Sequence, residues 1–357
     1  MSGGVDSSVA AALLVRRGYD VIGVTMQIWQ ESQTDPRHAG CCSLGAVEDA
    51  RRVARVLGFP HYVMNFREEF RQSVIENFID EYAAGRTPNP CVQCNRKVKF
   101  EALLEKMGDL GCEKLVTGHY ARVRRDRTGK FRLLRARGKG KDQSYVLYGM
   151  TQEQLAASWF PCGELEDKGQ TRQIARELGL SVADKPDSQE ICFVSEAGGY
   201  REFLRKSRPE MFGDGELVDS EGKSLGRHAG VADFTVGQRR GLGVTARDGK
   251  PLFVIGLEPK DNRVVVGGVE QLLTHEVLLE DVVWGAASTQ DTPLKVTAKI
   301  RYNMDPQPAV LFGGERPRLV FRDAVRAVTP GQIAVAYKGE SVAAGGTIAQ
   351  LHAPILN

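Results

Sequence analysis

With 357 residues, 42% hydrophobic and 26% charged, the chain is long enough for two or three domains and too mixed for a disordered or fibrous protein. A net charge of +3 excludes a polycation that coats nucleic acid by bulk charge, and no run approaches the roughly 20 apolar residues of a membrane span. No secretory leader precedes the first motif, so a cytoplasmic location is expected; there, seven cysteines point to metal or redox use rather than a disulfide framework.

The chain opens on Met1-Ser2-Gly3-Gly4-Val5-Asp6-Ser7-Ser8 and runs into Val9–Val15, which predicts a helix behind a glycine-hydroxyl turn. Glycine lets backbone approach a ligand closely, and the N–H groups and dipole of a helix start favour an anion, so the turn suits phosphate. It is not a Walker A loop, because GxxxxGK[ST] is absent. In a doubly wound fold a buried strand normally precedes such a loop, and here only Met1 does. Either a strand is missing ahead of Met1 or the sheet is built without it.

Strand and helix then alternate. Strands are predicted over Val21–Met26, His61–Phe66 and Lys114–Gly118, and helices over Val47–Leu57, Glu68–Ala84, Val98–Met107, Gln152–Trp159 and Gln170–Leu178. Near Arg205 helical periodicity stops and glycines punctuate short strand-like pieces. From about Leu272 the pattern is all β, with short runs such as Leu294–Ile300 and Gln332–Tyr337 that fit a small barrel. The boundaries expected are 1–205 for an α/β nucleotide-binding domain, 206–270 for a small central domain and 271–357 for a C-terminal β-barrel.

Between Arg122 and Lys141 lie ten basic residues, Lys139 among them, and only Asp126 as an acid, a strip of the kind that tracks a phosphate backbone. Cys112 and Cys162 stand alone and read as small core residues. Cys91 and Cys94 form a CxxC in the proline-bracketed loop Arg86–Asn95, with Cys94 near a helix start, where the dipole lowers a thiol pKa. Cys192 follows Asp187-Ser188-Gln189-Glu190-Ile191, and Cys41 and Cys42 adjoin each other in another loop. Trp29, Trp159 and Trp284 read as core or rim residues, and His228 and His275 as structural or surface groups.

SGGVDSS, RTPNPxxxCN from Arg86 to Asn95, TGHYAR at Thr117–Arg122, KDQSY at Lys141–Tyr145, DSQEICF at Asp187–Phe193, FTVGQRRGLG at Phe234–Gly243, IRY at Ile300–Tyr302 and TPGQ at Thr329–Gln332 occur in this order. SGGxDS resembles the PP-loop of ATP pyrophosphatases, and the ordered set resembles the bacterial tRNA-specific 2-thiouridylases, which thiolate the wobble uridine of certain tRNAs. The resemblance implies an α/β doubly wound parallel-sheet PP-loop domain, adenine nucleotide alpha hydrolase-like, followed by the two smaller domains. By that resemblance Ser2, Gly3, Gly4, Val5, Asp6, Ser7 and Ser8 hold ATP, Met26 and Gly118 line its adenosine, and His119 lies beside tRNA. Asn89, Pro90 and Cys91 face the target base, Lys141, Asp142, Gln143, Arg301 and Tyr302 touch tRNA, and Gln332 reaches the anticodon region. Cys94 is then the nucleophile and Cys192 the persulfide carrier, ending as a Cys94–Cys192 disulfide, with a cysteine desulfurase or sulfur-carrier protein as donor. Mg²⁺ accompanies ATP, with Asp6 a candidate ligand.

The best-known members carry aspartate where this chain has Cys91. Cys91, Cys94 and Cys192 together suit a [4Fe–4S] cluster with one open iron, so persulfide and cluster delivery both stand at this level. Two other classes compete: a PP-loop amide or amine ligase acting on tRNA or a small molecule, which needs no pair of reactive cysteines, and a non-catalytic RNA-binding protein.

Overall fold

The computed structural model describes residues 1–29, 44–138, 140–187, 191–195, 197–245, 249–285 and 292–350. Cys41, Cys42, Lys139, Ser188, Gln189 and Glu190 lie outside them. The chain divides into two units, one of residues 1–75, 90–198 and 340–342 and one of 76–89, 199–339 and 343–357.

In the first unit α1 spans Val5–Val15, starting from an extended Gly4. Its alanines and valines are small enough to bury the helix nearly all round, and Val5, Val9 and Ala12 pack on Val53, Ala175 and Val182. Strand β1 (Gly23–Gln27), helix α2 (Leu44–Leu57) and strand β2 (His61–Asn65) follow, the two strands pairing in parallel with Gly23 opposite His61. The first strand lies two residues later than the sequence suggests. Backbone of Met1 sits against it: the amino group donates to Val24 O, and Met1 O accepts from Thr25 Oγ1 at 2.8 Å.

Helix α3 (Arg67–Phe70) runs into a π-helical stretch, Arg71–Ile75, and α4 (Glu76–Ala83) belongs to the second unit. The next helix starts at Pro90 rather than Val98. Helix α5 (Pro90–Gln93), a π-helical stretch over Cys94–Ala102 and α6 (Leu103–Asp109) succeed one another. Proline is suited to a first helical position, since its missing N–H would be unsatisfied there anyway.

Strands β3 (Leu115–Val116), β4 (Ala121–Arg125) and β5 (Phe131–Arg135) come next, β4 and β5 forming the hairpin expected around Gly129, which takes a left-handed φ of 87°. Helices α7 (Ser144–Leu147) and α8 (Gln152–Ala156) lead to strand β6 (Ser158–Trp159), parallel to β3. Helices α9 (Lys168–Glu177) and α10 (Cys192–Ser195) complete the unit. Parallel strands flanked by helices are the α/β pattern expected.

In the second unit α11 (Tyr200–Ser207) packs on α4, with Tyr82 and Tyr200 stacked at 5.2 Å and Phe78 edge-on to Phe203 at 6.0 Å. A four-stranded sheet follows, built from β7 (Gly215–Val218), β8 (Ser224–His228), β9 (Phe253–Glu258) and β10 (Arg263–Gly267) in the order β8-β7-β10-β9. Its core includes Leu217, Phe234, Val254 and Val264. The last six strands are β11 (Leu273–Trp284), β12 (Leu294–Lys299), β13 (Gln307–Phe312), β14 (Arg318–Arg326), β15 (Ile333–Lys338) and β16 (Ser341–Ile348). They close into a barrel because β11 pairs with both β14 and β16, and its interior holds Val277, Leu311, Leu319, Phe321 and Ala343. No helix among the described residues is long and apolar enough to cross a membrane.

Candidate nucleotide and thiol site

The glycine-hydroxyl turn is held by its own serines. Ser7 Oγ accepts from Ser2 N at 3.2 Å and donates to Gly4 O at 3.2 Å, and Ser8 Oγ donates to Gly4 O at 2.9 Å. Gly3 has φ +63°, and a Cβ there would lie 2.2 Å from Ala46 O. No side chain caps α1, so its first-turn N–H groups face outward as anion donors. Gly118 lies against this helix start: a Cβ on it would fall 2.4 Å from the carbonyl carbon of Asp6 and 2.6 Å from Ser7 N. The turn and Gly118 thus form one cradle in which neither Gly3 nor Gly118 has room for a side chain. Met26 lies on β1, partly buried.

Around Asp6 stands a charge network that the sequence did not suggest. Its carboxylate accepts from Tyr120 OH at 2.8 Å and Lys141 Nζ at 3.1 Å, and also from Lys168 Nζ. The same two ammonium groups reach Asp187, at 2.9 Å from Lys141 and 2.8 Å from Lys168. Burial pulls the Lys141 pKa down, but Asp187 and Asp6 outweigh it and leave it raised; burial pushes Asp187 up, but Lys168 and Lys141 hold it below its usual range. Lys185 ties the turn from another direction, donating to Gly3 O at 3.1 Å and to Asp49 at 2.7 Å. Lys168, Asp187 and Lys185 sit in no phosphate motif, and only the fold brings them here. With two lysines and a phenol on its carboxylate, Asp6 does not fit as a magnesium ligand in this arrangement.

The three residues of the KDQ segment therefore face inward to the unit. Asp142 accepts from Ala136 N at 3.2 Å and Ser144 N at 3.1 Å, while Gln143 exchanges hydrogen bonds with the Tyr120 backbone at 3.0 and 2.8 Å. His119 bonds Thr117 Oγ1 at 2.7 Å and packs edge-on to Phe160. Burial first, then Lys99 and Lys141, drives its pKa well below the ordinary 6.5, so the ring is neutral.

Of the thiols, Cys91 is exposed and lies in the first turn of α5, whereas Cys94 opens the π-helical stretch one turn later and is partly exposed. Cys91, rather than Cys94, therefore occupies the first helical turn. A π-helical turn is itself common at functional positions. Cys192, also partly exposed, begins α10, anchored by buried Phe193, whose ring meets Phe70 at 5.8 Å and Trp29 at 6.4 Å. Among the described residues no three His, Cys, Asp or Glu side chains gather as metal ligands would. Cys91, Cys94 and Cys192 belong to no such group. Cys162 is buried beneath the turn, donating to Asp6 O at 3.3 Å; burial and then Asp6 push its pKa up to about 12. Cys112 is partly exposed rather than core.

Four arginines of the basic strip are paired with acids in place. Arg122 pairs with Glu340 at 3.0 Å, Arg124 with Glu164 at 2.5 Å, Arg132 with Asp126 at 2.8 Å and Arg135 with Asp142 at 4.0 Å. Three of these acids come from elsewhere in the chain, which a count along the segment misses.

In the second unit, the loop before Pro90 is clamped by the barrel end. Gln332 Nε2 donates to Thr87 O at 2.9 Å, Thr87 N donates to Pro330 O at 2.8 Å, and Arg86 pairs with Glu81 at 2.7 Å and with Glu280. Asn89 is partly buried and Pro90, in the first unit, is buried. Arg301 and Tyr302 are exposed after β12, Arg301 donating to Arg326 O at 3.0 Å and Lys299 lying 5.5 Å over the Tyr302 ring. His228 is buried and accepts from Gly230 N at 3.0 Å, a structural role as expected.

Residues 1–196 match the family described as tRNA methyl transferase HUP domain, 201–268 the tRNA methyl transferase PRC-barrel domain and 274–348 the aminomethyltransferase beta-barrel domain. The chain is 48% identical to the tRNA-specific 2-thiouridylase MnmA of Clostridioides difficile, over 98% of this chain and 96% of that protein. It is 50% identical to the namesake of Heliobacterium modesticaldum, over 98% and 91%, and 48% to that of Geobacter metallireducens, over 98% and 95%. A solved NMN synthetase from Francisella tularensis aligns with 57% of this chain and 73% of its own at 17% identity and a TM-score of 0.32, too slight a likeness to add to the fold. The domain descriptions speak of methyl transfer, but the full-length relatives agree on thiolation. With identity near one half over essentially its whole length, the chain belongs to the tRNA-specific 2-thiouridylase family.

Proposed function

We propose that the chain is an ATP-dependent tRNA sulfurtransferase that replaces the C2 oxygen of the wobble uridine with sulfur, recognising the anticodon stem-loop. The observation that carries this reading is the phosphate cradle of Ser2–Ser8 and Gly118, in the same unit as Cys94 and Cys192. The uracil C2 oxygen is a poor leaving group. It attacks the α-phosphorus of ATP at the cradle, pyrophosphate departs, the N3 proton passes to solvent, and the oxygen now leaves as AMP. Magnesium brought in with ATP would supply charge neutralisation to this step, and Asp6, held by two lysines and a phenol, would not be its ligand.

Cys192, charged as a persulfide by a cysteine desulfurase or sulfur carrier, presents its terminal sulfur to C2. Cys94 thiolate attacks the inner sulfur; that S–S bond breaks, its electron pair goes to the transferred atom, AMP leaves, and a Cys94–Cys192 disulfide forms. A thiol reductant reopens it. Persulfide delivery is preferred because it needs only the two thiols Cys94 and Cys192 and a reductant. Asn89, Pro90 and Cys91 then border the flipped base, and Arg301, Tyr302 and Gln332 lie on the RNA side of the second unit.

Nucleoside mass spectrometry tests the reading. Unmodified substrate tRNA incubated with the protein, ATP and a sulfur source should yield 2-thiouridine, and its absence would overturn the assignment.

A further inference from the structure

An acid in the first turn of a helix is ordinary, because it meets the positive end of the dipole. In a phosphate cradle it is an obstacle. Asp6 is the second residue of α1, so its carboxylate stands beside the N–H groups that a polyphosphate would use. The protein places two ammonium groups there. Lys141 and Lys168 each touch Asp6 on one side and Asp187 on the other, and both lie over the Tyr120 ring, at 4.9 and 5.9 Å. Neither is sealed away, with side chains 23% and 20% exposed. Two lysines shared by two carboxylates at the mouth of an anion cradle are more cation than Asp6 alone requires. Arg172 adds a third positive group 3.9 Å from Asp187.

We propose that Lys141 and Lys168 are the phosphate-binding residues of the adenylation step, held before nucleotide arrives by Asp6 and Asp187 as counter-ions. This rests on the reading of the cradle as an ATP site. When a triphosphate settles on the α1 N-terminus, the two ammonium groups exchange Asp187 for phosphate oxygens while Asp6 keeps them aligned. They then offset the charge that builds on the departing pyrophosphate, an electrostatic contribution of the kind that dominates phosphoryl and nucleotidyl transfer. Asp187 is a competitor for the lysines, so it tunes affinity downward.

That competition separates a phosphate-binding role from a structural one. Equilibrium binding of a non-hydrolysable ATP analogue and of adenosine should be measured for the full chain and for Lys168→Met, Lys141→Met, Lys168→Arg and Asp187→Asn. Loss of one charge-assisted contact is expected to weaken the triphosphate about ten-fold or more in the Met variants and to leave adenosine unchanged. Lys168→Arg should keep most of the affinity, and Asp187→Asn should bind the triphosphate more tightly than the parent. The proposal is overturned if the Met variants lose adenosine and triphosphate equally, if they lose neither, or if Asp187→Asn weakens triphosphate binding as Lys168→Met does. A parent chain that binds no nucleotide removes the ATP reading itself; a parent that binds it while the variants behave alike removes only this one.

Discussion

The side-chain amide of Gln332 donates to the carbonyl of Thr87 at 2.9 Å, tying the start of β15 to the loop that leads into Cys91 and Cys94. A second, longer bond of 3.4 Å reaches Pro88 O. The glutamine thus acts on its own backbone, fixing the approach to Asn89. Gln332→Ala should cost about 1 kcal/mol, the usual worth of such a bond, and should speed amide exchange at residues 87 and 89 while β11–β14 pairing is unchanged. Unaltered exchange there would show that the bond does not hold the loop.

Gly118→Ala should abolish nucleotide binding with a measurable loss of stability. The added methyl would meet helix backbone at 2.4 and 2.6 Å, where nothing rotates away. Overpacking of this kind costs about 1–3 kcal/mol. Isothermal titration with ATP and a thermal melt read the two effects; an alanine variant that binds ATP as the parent does would refute the cradle.

The thiols should separate by chemistry. Cys94→Ser and Cys192→Ser are expected to eliminate 2-thiouridine while tRNA-dependent pyrophosphate release continues, since adenylation needs neither sulfur. Cys162, raised to about 12, has almost no thiolate at neutral pH and should resist iodoacetamide until the protein unfolds, whereas exposed Cys91 should label early. Peptide mapping after timed alkylation gives the order, and early labelling of Cys162 would contradict its placement beneath the turn.

His119 sets an acid limit. Its folded pKa lies well below the unfolded value of 6.5, so below pH 6.5 the unfolded chain binds a proton that the folded chain refuses. The stability from a neutral His119 is whole above pH 6.5 and declines as pH falls toward the lowered folded value. Urea midpoints for the parent should therefore drop between pH 7.5 and 5, and less steeply for His119→Gln. Parallel slopes for the two would mean that His119 is not the group responsible.

What could be seen in the sequence was whatever is local. Gly3 and Gly4 before an apolar run announce an anion cradle, and the spacing of short apolar runs announces the barrel. The Asp6 network could not be seen, because nothing local marks Lys168 or Asp187 as its partners: Lys168 meets Asp6 through the packing of α9 near α1, and Asp187 joins through Lys141 and Lys168. The partners of the basic strip were hidden for the same reason: Glu164, Glu340 and Asp142 pair with three of its arginines from outside the segment. The helix at Pro90 was placed eight residues late, since Pro90-Cys91-Val92-Gln93 looks like a loop until proline is read as a first helical residue.

The interleaving of the two units carries a consequence for synthesis. Residues 76–89 leave the ribosome early, yet Tyr82 stacks on Tyr200, Asp80 pairs with Arg208 at 2.7 Å and Arg86 pairs with Glu280. At about 5–20 residues per second, α4 waits on the order of ten seconds for α11 to be translated. During that interval Phe78 and Tyr82, buried in the folded protein, are uncovered on the nascent chain. The first unit in turn is complete only when Glu340 arrives to meet Arg122. One ion pair of the first unit thus forms only after a segment translated long after Arg122 has appeared.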